Sequence, residues 1–285
     1  MPILVGTSGW SYEDWEGVVY PKGLAPAERL GFLAERFPAL EIDASFYRDP
    51  TPALLRGWIA RTRDRPGFEL SLKAPQDLTH DAMAGAPPEA CARLAASWRA
   101  RVAEPLREAG RLGAVLLQLS PAVTHAREMQ DRLAAALDAL APLPVAVEFR
   151  NRTWHDEAGA LKPDALALLD ARNAAAVVVD GPGFPAIVAG AADHAYVRFH
   201  GRNREHWFRR DATREERYDW DYAEAELAPW TRALADLAAS KRVVRTFFNN
   251  HVGGQAFRNA QALQDLLERA GASVQRARGP QRRLF

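Results

Sequence analysis

Apolar residues along this chain fall into short runs, and the stretches between the runs carry helical spacing. A run such as Val177-Val178-Val179 suits a strand buried on both faces, because successive strand side chains point to opposite sides of the sheet. Eight strands are predicted, at residues 3–7, 39–43, 68–73, 114–119, 145–149, 176–180, 195–200 and 243–248. Helices are predicted at 27–37, 53–62, 89–109, 127–140, 161–172, 223–239 and 256–270, with Pro and Gly at the joins. Eight strands alternating with helices predict an α/β fold, a (β/α)8 TIM-like barrel. Only residues 181–194 separate the sixth and seventh strands, which predicts a shortened connection without a full crossover helix. Residues 201–222, after the seventh strand, are long, charged and aromatic, and predict a lid or wall over the barrel mouth. Residues 1–274 read as one domain and 275–285 as a basic, mobile tail.

Several strands turn polar on one face as they end. Glu41 and Asp43 share a face, as do Ser71 and Lys73, Glu148 and Arg150, and Arg198 and His200. A parallel barrel builds its active site at that rim. If alternation holds throughout, the inward set is Glu41, Asp43, Lys73, Gln118, Glu148, Arg150, Asp180, Arg198 and His200, with Asn249, Asn250 and His251 following the eighth strand. Burying such charges is costly unless they pair or bind something charged. One reading of the set is therefore a salt-bridge network that closes the barrel mouth, and the other is a ligand site.

Bulk composition narrows the classes. The chain has 285 residues, is 48% hydrophobic, and carries 37 basic against 36 acidic residues for a formal net charge of +1. That balance gives no global sign of nucleic-acid or membrane binding. The single cysteine, Cys91, sits in an Ala-rich helical stretch and reads as a small buried apolar residue. One cysteine allows neither an internal disulfide nor a thiolate zinc cluster, and fits a reducing compartment. The first residues lack the basic and apolar regions of a signal peptide, and no stretch reaches the ~18 apolar residues of a membrane span. The expected location is the cytoplasm.

Three ligand classes suit the rim. Arg150, Arg198, Lys73 and His200 offer forked and point-charge donors to an anion, most simply phosphate. Glu41, Asp43, Glu148, Asp180 and His200 offer oxygen and nitrogen to a divalent metal such as magnesium or manganese. Their spacing matches no local metal motif, and the three neighbouring cations oppose a metal, so none is favoured. Lys73 is a candidate Schiff-base nucleophile if burial and nearby cations depress its pKa. His80, in the loop after Lys73, is a candidate acid–base group. Aromatics crowd the same loops: Trp10, Tyr12 and Trp15, Phe46 and Tyr47, Trp154, then Trp207, Phe208, Tyr218, Trp220 and Tyr222. They suit either small cores that hold the loops or, with Arg202, Arg204, Arg209 and Arg210, a groove for a nucleotide or nucleic acid.

Gly6-Thr7-Ser8-Gly9-Trp10-Ser11-Tyr12, with Trp15 after it, resembles the opening motif of the domain-of-unknown-function family seventy-two, the YecE-like proteins. Later motifs agree in order: Glu41–Tyr47, the segment 68–75 with Thr79-His80, Glu148-Phe149-Arg150 with Trp154, Arg198–Arg202, and Phe248–His251 with Asn259-Ala260. The resemblance covers nearly the whole chain and implies a TIM-like barrel with these residues at its mouth. Asp43 stands where the family more usually has Asn, and Ala44-Ser45 replaces a Ser-Thr pair. The family has no established reaction, so the resemblance implies the fold and the site only.

The last residues, Gln281-Arg282-Arg283-Leu284-Phe285, resemble the peptide that docks on bacterial DNA sliding clamps, with Arg282 departing from the usual Leu. Three functions are expected to compete. The first is an enzyme, a phosphoester hydrolase in class, that acts on a phosphate-bearing ligand such as a nucleotide or nucleic-acid end. It would bind phosphate with Arg150, Arg198 and Lys73, and use Glu148 or Asp180 as base and His200 as acid. The second is a Schiff-base lyase using Lys73. The third is a non-catalytic adaptor that binds nucleic acid or the clamp through Gln281, Leu284 and Phe285.

Overall fold

A computed structural model describes residues 1–183 and 190–277. The strands are β1 (Ile3–Thr7), β2 (Ala39–Ile42), β3 (Glu69–Lys73), β4 (Leu112–Gln118), β5 (Val145–Glu148), β6 (Ala175–Asp180), β7 (His194–Phe199), β8 (Val243–Phe248) and β9 (Val274–Gln275). The helices are α1 (Arg29–Ala34), α2 (Pro52–Thr62), α3 (Met83–Gly85), α4 (Pro88–Trp98), α5 (Glu104–Glu108), α6 (Arg127–Leu140), α7 (Pro163–Asp170), α8 (Arg204–Trp207), α9 (Arg214–Tyr218), α10 (Glu224–Ser240) and α11 (Gln255–Arg269).

The strands form one curled sheet in the order β2-β3-β4-β5-β6-β7-β8-β1-β9, and every ladder is parallel. Between β1 and β2 the ladder is open. Only a bridge between Ser8 and Glu41 joins them, with the Gly9 N–H donating to the Glu41 carbonyl at 2.8 Å. The two strands nevertheless approach closely, since a Cβ at Gly6 would lie 1.8 Å from the Ala39 carbonyl oxygen. The ninth strand is absent from the sequence prediction, being only two residues long.

Helices pack on the convex face, and their apolar stripes explain why. In α6, Leu133, Ala136, Leu137 and Leu140 recur at three- and four-residue spacing and are all buried. The concave face holds a smaller core of Leu4, Ala39, Leu116, Ala146, Tyr196 and Phe247. Below it lies Arg245, whose Nε sits 2.6 Å from Glu69 Oε2, beside buried His194. Above it lies the charged layer at the C-terminal strand ends.

Two helical expectations need correction. The helix predicted over 89–109 is interrupted by a π-helical turn, Arg99–Ala103, just ahead of Pro105. Proline lacks the N–H for an α bond and crowds the preceding turn, so the backbone widens there. The segment after Lys73, read as a loop, contains a second π-helical turn, Asp77–Ala82, which carries His80.

The first residues of the segment expected to be a mobile tail pack on the fold. Residues 275–277 are held, with Gln275 in β9 and Arg276 bonded to Glu268, Asp265 and Gln264. Gln281, Leu284 and Phe285 lie outside the described residues, as do residues 184–189 of the short connection between β6 and β7. No helix among the described residues is long and apolar enough to cross a membrane.

Candidate functional site

Alternation on the strands brings nine of the expected side chains together on the concave face. Arg198, fully buried, is the hub: its Nη2 donates to Glu41 Oε1 at 2.7 Å, and its Nη1 donates to Glu148 Oε2 at 2.6 Å and Gln118 Oε1 at 3.0 Å. Glu41 also accepts from the Ser8 hydroxyl at 2.5 Å and the Tyr196 hydroxyl at 2.7 Å. Glu148 pairs with Arg150 through that residue's Nε, and Arg150 Nη2 donates to Gln118 at 3.3 Å. Asp43 lies 3.0 Å from Lys73 Nζ on one side and 2.6 Å from Arg214 Nη2 on the other. Asn249 Nδ2 lies 3.1 Å from His200 Nδ1, and His200 Nε2 lies 3.2 Å from Glu148 Oε1. Arg150 Nη2 lies 3.0 Å from the same nitrogen.

Electrostatics follow from burial and these partners. Burial alone would raise the Glu148 carboxyl, but Arg150 and Arg198 outweigh it and hold it well below the usual range. For Asp43, Lys73 and Arg214 likewise overcome burial and lower it. Burial pushes His200 down to about 3 despite the charge on Glu148, so its imidazole is neutral. Burial also lowers Lys73, with Asp43 opposing. His80 is lowered by burial, then by the charge of Lys73, with Asp81 opposing and Arg150 adding to the fall. Four cations (Lys73, Arg150, Arg198, Arg214) thus face three carboxylates (Glu41, Asp43, Glu148) in one layer. Glu148 and Arg198 carry no solvent exposure, so much of this layer neutralises itself.

Four expected site residues face elsewhere. Asp180 pairs in register with Phe199, so it shares the convex face, where its carboxylate accepts from Arg202, Tyr222 and Trp230 at 2.5–2.9 Å. It anchors the 201–222 segment rather than facing the rim, and it takes Arg202 with it. Asn250, next to inward Asn249, must point outward and donates to the Trp220 carbonyl and Asn259. Trp154 is fully buried beneath the loops, its indole N–H donating 2.8 Å to the Val123 carbonyl. With Asp180 on the far side, the expected metal set is split, and no three His, Cys, Asp or Glu side chains among the described residues group as metal ligands.

Trp10, Tyr12 and Tyr47 line an adjacent cleft of about 480 Å³ between the loops after β1 and β2 and helices α1 and α2. The aromatic segment does wall the C-terminal edge: Tyr12 stacks on His251 at 4.5 Å, and Tyr218 and Trp207 continue the row towards His200. Ser8, Tyr196 and Arg214 escaped the sequence reading. Tyr196 stands two residues before Arg198, and the same alternation finds it. Arg214 comes from α9 in the long segment, where no periodicity predicts its direction.

A curled parallel α/β sheet with its polar cluster at the C-terminal strand ends defines a barrel-like protein whose site lies where such folds carry function. The sequence profile described as "Protein of unknown function DUF72" matches residues 4–284, and the chain belongs to that family. It is 29% identical over 275 residues to the UPF0759 protein YunF of Bacillus subtilis, covering 93% of this chain and 95% of that protein. The crystal structure of the DUF72 family protein TM1631 from Thermotoga maritima is 33% identical, with a TM-score of 0.79 over 94% of this chain and all of that one. A DUF72 family protein from Enterococcus faecalis shares the fold at 24% identity and a TM-score of 0.76, covering 93% of this chain and 95% of that one.

Proposed function

We propose that this protein is an enzyme acting on a phosphate-bearing ligand at the C-terminal edge of a sheet that closes as an eight-stranded TIM-like barrel. The Ser8–Glu41 bridge and the close approach at Gly6 support the closure. The observation that carries the ligand class is the excess of one cation among the described residues of the charged layer, with solvent-exposed Arg214 as the fourth, which an anion would neutralise. Lys73 is the best-suited donor: its ammonium has three N–H groups and gives one to Asp43. His80 packs edge-on against the Phe46 ring that the Lys73 ammonium also contacts. Arg198 is wholly buried and committed to two carboxylates, so it acts through the field rather than by contact. The proton-transfer roles first expected of Glu148, Asp180 and His200 fit poorly, since each is buried and locked in its own bonds. His80, neutral and partly exposed, is the better base.

Titration calorimetry with inorganic phosphate tests the reading. Lys73→Met and Arg150→Gln should each weaken binding about 10- to 100-fold, the worth of one charge-assisted hydrogen bond. Unchanged affinity in both folded variants would sink it.

A Schiff-base role for Lys73 remains the second reading, favoured by its side chain being only 8% exposed and by the burial that lowers its pKa. Borohydride should then trap a small aldehyde or ketone on the wild-type protein and not on Lys73→Met; equal trapping on both would exclude that lysine.

A further inference from the structure

We infer that the cleft beside the charged layer binds a flat aromatic ring of the same ligand, so that the substrate is an aromatic phosphate such as a nucleoside monophosphate or an aryl phosphate. This rests on the phosphate reading above. The cleft, at about 480 Å³, lies within the size range of small-molecule sites. Its walls are large flat rings. Trp10 and Trp58 meet edge to face at 5.8 Å, and Tyr12 is backed by His251, so it presents a ring already fixed in orientation. The Tyr12 hydroxyl is spent on the Ser8 carbonyl at 2.7 Å, which leaves the wall apolar. At the lip, Tyr47 is 65% and Leu54 46% exposed, an apolar edge that a monomeric surface gains nothing by showing.

The two sites share one carboxylate. Asp43 lines the cleft, and its other side holds Lys73. A ring in the cleft therefore places a substituent a few bonds away at the ammonium. Arg214, bridging Asp43 and the Tyr47 hydroxyl, straps the junction from above. Arg61, exposed at the cleft's edge, has no ion pair among the described residues and adds a positive charge for an anionic ligand.

Trp10 and Trp58 make tryptophan quenching a direct probe. The panel is adenosine monophosphate, phenyl phosphate, ribose 5-phosphate, inorganic phosphate and adenosine. The aromatic phosphates should bind at least tenfold more tightly than ribose 5-phosphate. Leu54→Asp and Tyr47→Ala, both at exposed positions, should remove that advantage and weaken inorganic phosphate far less than Lys73→Met does. An advantage confined to adenosine monophosphate assigns a nucleobase; one shared with phenyl phosphate assigns any aryl ring. Equal affinities for all phosphates, or an advantage that survives both variants, overturns the inference while the phosphate reading stands. Binding of adenosine that Leu54→Asp abolishes, with no phosphate binding at all, keeps the ring site and overturns the phosphate reading instead.

Discussion

Replacing Arg198 with Leu should cost about 3–5 kcal/mol of folding stability, because it strands two carboxylates in the interior. Glu41 and Glu148 are both fully buried, and both depend on the same guanidinium for a bond of 2.6–2.7 Å. Lysine at this position should restore little, since a single ammonium cannot fork to two acceptors on different strands. Arg214→Leu is the contrast. That side chain is 40% exposed, and its partner Asp43 keeps Lys73, so the loss should stay near ~1 kcal/mol. Urea denaturation of the three variants checks the ranking. A loss in Arg198→Leu no larger than in Arg214→Leu would mean that the buried layer is not the electrostatic keystone drawn above. Arg198 is unsuitable for testing ligand binding, since its loss damages the scaffold that holds the other donors.

Stability should also fall steeply in mild acid, by about 4 kcal/mol between pH 7 and pH 5. Burial pushes His200 down to about 3 and His194 down to about 4 in the folded chain. Both take up protons near pH 6.5 once unfolded, so below that pH the unfolded state binds more protons. Stability is then full above about pH 6.5 and falls as the pH drops, each histidine adding a slope of up to ~1.4 kcal/mol per pH unit until its folded pKa is reached. Asp43 and Glu148, lowered by their cationic partners, keep their stabilising contribution above the ordinary carboxylate range and lose it only at still lower pH. Urea midpoints measured across the pH series should fall accordingly, and His194→Gln should remove about half of the slope between pH 6 and 5. A flat profile would show that these imidazoles are protonated in the native state.

Strand positions were legible because apolar runs bounded by Gly and Pro leave little choice: β1, β8 and α6 match their predicted limits. Facing was legible only where polar residues mark the period. On β7, Arg198 and His200 alternate with Val197 and Phe199, and the inward direction follows. On β6, Val177-Val178-Val179 carries no alternation, so nothing in the sequence fixes which way Asp180 points; its register with Phe199 does. The pair Asn249 and Asn250 offered two polar residues for one inward position. Arg214 and the cleft between α1 and α2 depend on how loops and helices pack on the sheet, which no local period encodes. The resemblance to the family supplied the order of the motifs and, with no reaction attached, could not sort ligand contacts from supports.

The placement of β1 governs when this protein can finish folding during its synthesis. Ile3 and Leu4 hydrogen-bond with β8 on one side and β9 on the other, and those partners lie some 240 to 271 residues later in the chain. β1 is therefore made long before β8 and β9, and β2 through β7 remain an unfinished sheet until residues 243–275 emerge. Throughout that interval β1 has only its bridge to β2 for support, and the edge that will receive β8 stays open to wrong pairing.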